Sequence, residues 1–255
     1  MTFSRPLFAT LGVVAVIGAA SLGLSQGAPS AAPAKTPAVA VAGEPVLLEL
    51  FTSQGCSSCP PADSLAERLS TNPDLVVIAR PVTYWDRLGW KDTLARESNT
   101  ALQQAYARRG LDGRNGVYTP QLVVHGSYGL VGSNASEVAP GVKQFGKSTA
   151  AIRVAPAAGG GYAVNLSGTT SAAAELMLVA VTRKVAVGIG SGENSGRRIT
   201  YTNVLRSERR LSDWTGGKAS VALAASQLKV AGADRYALVL RQPGGGKVLA
   251  ARWVS

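Results

Sequence analysis

The sequence predicts an α/β part followed by a small all-β, sandwich-like part. Three observations predict it. Up to about residue 150, apolar positions switch between strand-like runs and helix-like spacing in the order β-α-β-α-β-β-α. Beyond it, short alternating runs are separated by glycine-rich turns: Gly159-Gly160-Gly161, Gly216-Gly217 and Gly244-Gly245-Gly246. Charge divides at the same place. Residues 44–150 carry ten basic and ten acidic side chains, whereas residues 151–255 carry fourteen and five.

The N-terminus sets the compartment. Arg5 precedes an uncharged apolar run, Leu7 to Leu24, and then the small residues Ser25-Gln26-Gly27-Ala28. This is the layout of a secretory signal peptide over residues 1–27, cut after Gly27. The alternative is an uncleaved N-terminal membrane anchor. The run of 18 residues is short for that role, since a span needs about 20. Either way the body is exported, to the periplasm or beyond the cell. Residues 28–45 hold seven Ala and four Pro, which forbid a long helix and suit a linker. The body then divides into residues 46–150 and 151–255.

Composition excludes several classes. The 255 residues are 46% hydrophobic, a globular value. Two cysteines cannot build a disulfide scaffold, and two Cys with one His cannot supply a four-ligand zinc site. The net charge of +11 raises nucleic acid or an anionic surface as a partner. An exported chain with few aromatics among its arginines is not expected to bind nucleic acid. The excess sits in residues 151–255, where Arg197, Arg198, Arg206, Arg209 and Arg210 cluster. They are candidates for an anionic surface, or are solvated arginines that deter edge pairing of strands.

In the first part, Val46–Phe51 and the run Leu75–Val82, apolar but for Arg80, read as buried strands. Ala62, Leu65, Ala66 and Leu69 mark a helix, with Asp63 and Glu67 early in it, where the dipole favours acids. An aromatic loop with Tyr84, Trp85 and Trp90 follows. Residues 95–109 read as a helix stopped by Gly110. Strands at Gln121–His125 and Tyr128–Val131 turn at Gly126-Ser127, and a last helix starts near Ser133 or Asn134.

The chemistry sits at Cys56-Ser57-Ser58-Cys59, between a strand and a helix. At a helix N-terminus the first thiol is expected to be exposed, with its thiolate stabilised by unpaired N–H groups. Cys56 is then the nucleophile and Cys59 the resolving thiol. Pro60-Pro61 favours a helix start at Ser58 or Cys59, which weakens that hold on Cys56. A structural disulfide and an inactive remnant are alternatives. So is copper held by the two thiolates with His125 or Glu49.

The stretch Glu49–Asp63 (ELFTSQGCSSCPPAD) resembles the signature of an uncharacterised family of secreted bacterial proteins, a domain of unknown function in the thioredoxin-like superfamily. Val82–Asp86, Val117–Gln121 and Gly192–Arg197 resemble that family's shared stretches. The resemblance implies a thioredoxin-like fold over residues 46–150 and export, but no settled activity. By similarity to thioredoxins, Thr119-Pro120 is the loop whose cis-proline faces the dithiol and offers backbone groups to a substrate peptide. Glu49 stands near the place of a buried proton-accepting acid, one residue out of register, and the alternative is a salt-bridged strand residue. Trp85 is a candidate wall of the substrate groove.

Beyond residue 150, seven runs read as strands: 152–154, 162–166, 176–181, 200–203, 219–223, 236–240 and 248–253. The glycine-rich Gly188–Gly196 does not complete a nucleotide-binding fingerprint. The reading is an exported thiol-disulfide oxidoreductase without cofactor or metal, acting on exported protein thiols with a redox partner protein. The alternative is a non-enzymatic module that binds copper or an anionic surface.

Overall fold

In this computed structural model the described residues are 43–111 and 116–254, and they fall within one compact unit, Thr36–Ser255. The expected signal and most of the expected linker lie outside the described residues. The linker's described end is no tether. Glu44 is buried there and pairs with Arg153 and Arg252.

The first half follows the expected order: β1 (Val46–Thr52), α1 (Pro60–Leu69), β2 (Leu75–Pro81), α2 (Glu97–Arg108), β3 (Gln121–Val124), β4 (Tyr128–Val131) and α3 (Ala135–Phe145). The second half forms β5 (Ala150–Pro156), β6 (Tyr162–Gly168), β7 (Ala174–Gly188), β8 (Arg198–Trp214), β9 (Ala219–Leu223), β10 (Arg235–Arg241) and β11 (Val248–Trp253). All seven strands expected there form, but four of them join the first half's sheet. That sheet has eight strands in the order β11-β10-β7-β8-β2-β1-β3-β4, and β5-β6-β9 make a separate sheet of three. The class is mixed α/β. The boundary expected at residue 150 marks a change in charge and connection, not a change of sheet.

Burial on both faces explains why these strands are shared. Leu176, Leu178, Leu238 and Leu240 pack under the three-stranded sheet, against Ile152, Val164 and Leu166. Their neighbours Val179, Val181 and Val239 pack with Leu47, Val76 and Ile78. A strand apolar on both faces needs cover on both, here the three-stranded sheet on one and the first half's side chains on the other. The join is narrow. Ala79 of β2 pairs in parallel with Val204 of β8, and the Asn203 side chain donates to the Val77 carbonyl at 2.9 Å. Asn203 adopts φ 49°, a left-handed conformation that asparagine tolerates better than most residues. The far edge also returns to the first half. Val248 N–H donates to the His125 carbonyl at 3.1 Å.

Helices α1 and α3 cover one side of β1-β3-β4, with Leu65, Leu69, Val138 and Val142 against Leu48, Leu50 and Leu122. Helix α2 sets Tyr106 against Phe51, Val82 and Val123. The loop after β1 is thereby fixed at the sheet's end, at the head of α1.

Candidate active site

Helix α1 begins with Pro60 and Pro61 after Cys59 as N-cap, the later of the expected starts. The two prolines occupy positions whose N–H groups lack helical partners. Cys56 and Cys59 are joined as a disulfide, and both are fully buried. The exposed first thiol expected from the sequence is therefore not found. Ser57 and Ser58 between them are exposed, and the Ser58 hydroxyl lies 3.3 Å from the Cys56 sulfur.

A strap from the second half covers Cys56. It is the turn joining β7 to β8, residues 189–197. The buried Asn194 amide donates to the carbonyls of Gln54 and Cys56, each at 2.9 Å. Arg197 donates to the Asn194 amide oxygen at 2.9 Å and orients it. The Glu193 carboxylate accepts the Ser57 N–H at 2.9 Å, which holds its pKa below the ordinary value. Gly192 adopts φ 78°, and a Cβ there would meet Trp90 at 3.3 Å. The glycine run that fails as a nucleotide motif thus forms a close-packed turn over the cysteine loop.

Beneath the strap, the Gln54 N–H donates to Asp92 at 2.8 Å and the Trp90 indole donates to the Gln54 side chain at 2.8 Å. Burial raises the Asp92 carboxyl despite N–H donors from Gln54, Leu94 and Ala95. Asp63 is buried, and among the described residues its carboxyl has no ion pair and only the Thr52 hydroxyl near enough to lower its pKa. Burial pushes it well above the ordinary carboxyl range, with nearby Asp92 adding to the shift. Asp63 is the acid of the first turn of α1, as expected, but it is buried rather than solvated.

Thr119-Pro120 lies beside this site, and its peptide bond is cis. A Cβ on Gly132 would meet Pro120 Cβ at 3.2 Å and Ala62 Cβ at 3.3 Å, so Pro120 abuts the first turn of α1. The Trp85 indole donates to the Thr119 hydroxyl at 2.8 Å. Trp85 also sits over Gly55, where a Cβ would meet it at 3.4 Å. Trp85 thus links Thr119 to Gly55, the residue before Cys56, while Pro120 and Ala62 of α1 flank Gly132.

Glu49 does not match its expected role. It is buried, with Arg80 at 2.7 Å and Arg241 at 2.8 Å, and Tyr106 donates its hydroxyl at 2.5 Å. Burial alone would raise its pKa. The charges of Arg241 and Arg80 and the hydrogen bonds from Tyr106 and Arg241 overcome that and lower it to about 2. A carboxylate held this way is no proton acceptor at neutral pH and is not free to bind copper. His125 is no copper ligand beside the thiols either. It follows Val124, which pairs with Leu48, whereas the cysteine loop follows Thr52. That is about 13 Å along the strand. Its Nδ1 accepts the Leu47 N–H at 3.2 Å, and burial lowers its pKa to about 4.

The second-half arginines do not form one patch. They spread along β8 over about 40 Å, where Arg210 pairs with Glu175 and Asp213 and Arg206 donates to Thr182. No helix among the described residues is long and apolar enough to cross a membrane.

Sequence reading missed Asn194, Glu193, Gln54 and Asp92. The Gly192–Arg197 stretch was the available signal for the first two.

No curated protein matches the chain. An Agrobacterium tumefaciens protein solved by X-ray crystallography, AGR_C_4864, is similar at 27% identity and TM-score 0.70, over 82% of this chain and 92% of that one. HBP35 of Porphyromonas gingivalis aligns at 12% identity and TM-score 0.48, over 82% and 74%. A family model described as "Protein of unknown function (DUF1223)" matches residues 47–241, and the chain belongs to that family.

Proposed function

We propose that this chain is an exported thioredoxin-like protein whose Cys56–Cys59 pair exchanges disulfides with protein thiols. The observation that carries the reading is the pairing of the chain's two cysteines at the head of α1, with Pro120 against the same turn. Supporting it, β2-β1-β3-β4 has β1 and β2 parallel and β3 antiparallel to β1, the arrangement of the thioredoxin core. A leader of the secretory type before residue 28 supports an oxidising compartment, where such a pair persists. Cys56 is the sulfur attacked from outside and Cys59 the resolving one. Thr119, Pro120 and Trp85 line the approach for an extended peptide. A redox partner protein resets the pair.

The test is disulfide exchange with a protein substrate such as insulin. Cys56→Ser is expected to abolish turnover, and Cys59→Ser to accumulate mixed disulfides on Cys56. Turnover unchanged in both variants, with no adduct, sinks the reading.

The burial of both sulfurs favours a second reading, a structural clip that closes the loop between β1 and the head of α1. On that reading the folded protein resists millimolar thiol reductant, and Cys56→Ser loses stability but no activity.

A further inference from the structure

We infer that Asp63 is the proton donor to Cys59 when an incoming thiolate opens the disulfide, and the acceptor when the disulfide re-forms. This rests on the exchange reading above.

Cys59 has helical backbone angles, φ −78° and ψ −36°, so Cys59 and Asp63 lie one turn apart on one face of the α1 head. Their Cβ atoms are then about 5–6 Å apart. The Asp63 N–H donates to the Cys59 carbonyl at 3.1 Å, which closes that turn. Both side chains are buried. The groups facing the carboxyl are Thr52 from β1, Asp92 from the segment before α2 and Tyr201 from β8. None is a cation. The Thr52 hydroxyl is the polar group that favours the charged form of Asp63, and the buried Tyr201 hydroxyl has no hydrogen-bond partner among the described residues. An inward acid with no ion pair, and with only the Thr52 hydroxyl close enough to favour its charged form, does little for the fold. Glu49, with two arginines and a tyrosine, shows what a structural carboxylate looks like in this chain.

The step balances. An external thiolate uses its electron pair to bond Cys56 Sγ. The Cys56–Cys59 bond breaks, and its pair goes to Cys59 Sγ. The Asp63 carboxyl proton moves to that sulfur. The products are a mixed disulfide on Cys56, the Cys59 thiol and the Asp63 carboxylate, so one negative charge enters and one remains. Closure reverses each transfer.

The test follows reduction of the full-length oxidised protein by 2-mercaptoethanol from pH 5 to 9, with rates divided by thiolate concentration. In the wild type the corrected rate falls as Asp63 ionises. Asp63→Asn is expected to lower it at acid pH by at least about tenfold, a modest effect for general acid catalysis because a thiolate leaves readily. The Asn profile should be flat, and Asp63→Glu should restore the fall. A wild-type profile in Asp63→Asn overturns the inference while exchange stands. A wild-type disulfide that thiol does not open overturns both. Should Asp63→Asn not fold, carbon-13 titration of the wild-type carboxyl decides. The Asp63 midpoint is expected to differ between oxidised and reduced protein, and an identical midpoint overturns the inference.

Discussion

Asn194 holds Cys56 from 138 residues away, its amide nitrogen 2.9 Å from the Cys56 carbonyl oxygen. The same nitrogen reaches Gln54, so one side chain from the β7–β8 turn spans the cysteine loop. Removing it leaves two buried carbonyls without that donor, at a cost of about 1–3 kcal/mol. It also uncovers Cys56. Asn194→Ala should therefore lower the urea midpoint and speed thiol reduction of the disulfide several-fold. A variant that is destabilised but reduced no faster argues against the strap as the barrier to Cys56.

Glu193 places a carboxylate on the Ser57 N–H, next to Cys56. In the reduced protein that negative charge disfavours a thiolate beside it. Glu193→Gln is expected to lower the Cys56 thiol pKa and raise its alkylation rate at pH 7 about twofold to threefold. Glu193 is exposed, so salt should erase most of the difference. Alkylation rates that stay equal at low salt contradict the assignment.

Trp85 fixes the Thr119 hydroxyl at 2.8 Å and stands over Gly55. If this wall positions peptides, Trp85→Ala should raise KM for a protein substrate several-fold. Reduction by a small thiol should be nearly unchanged. Equal losses with both reductants would place the effect on the disulfide itself.

The order of elements was legible because each has its own period. Ala62, Leu65 and Leu69 repeat as a helix does, and Leu75–Ala79 is apolar throughout because both its faces are covered. The joining of the halves was not legible. Between β2 and β8 it runs through a single paired position, Ala79 with Val204, and the Asn203 side chain, neither of which has a periodic signature. Composition likewise hides how a charge is used. Asp63 at a helix start looks like a solvated dipole acid until its burial is known. Glu49 in an apolar strand looks like a perturbed acid until Arg241, 192 residues away, is found beside it. The cysteine pair was legible from its spacing, whereas the hold on its backbone by a turn from the other half was not.

Glu49 and its arginines give the last prediction. Its carboxyl is held at about 2, against an ordinary value of 4.5. A depressed carboxyl stabilises the fold fully above its unfolded pKa, and that contribution fades as pH falls through the folded value. The gap corresponds to about 3 kcal/mol, lost between about pH 4.5 and 2. Glu49→Gln should cost about 3–5 kcal/mol at pH 7, because it leaves Arg241 buried without its carboxylate while Arg80 keeps Glu208 at 2.9 Å. The variant should also lose much of the wild type's acid sensitivity. Urea unfolding at pH 7, 4 and 3 measures both effects. Parallel pH curves for the two proteins would mean that the Glu49 charge does not stabilise this fold, however many partners surround it.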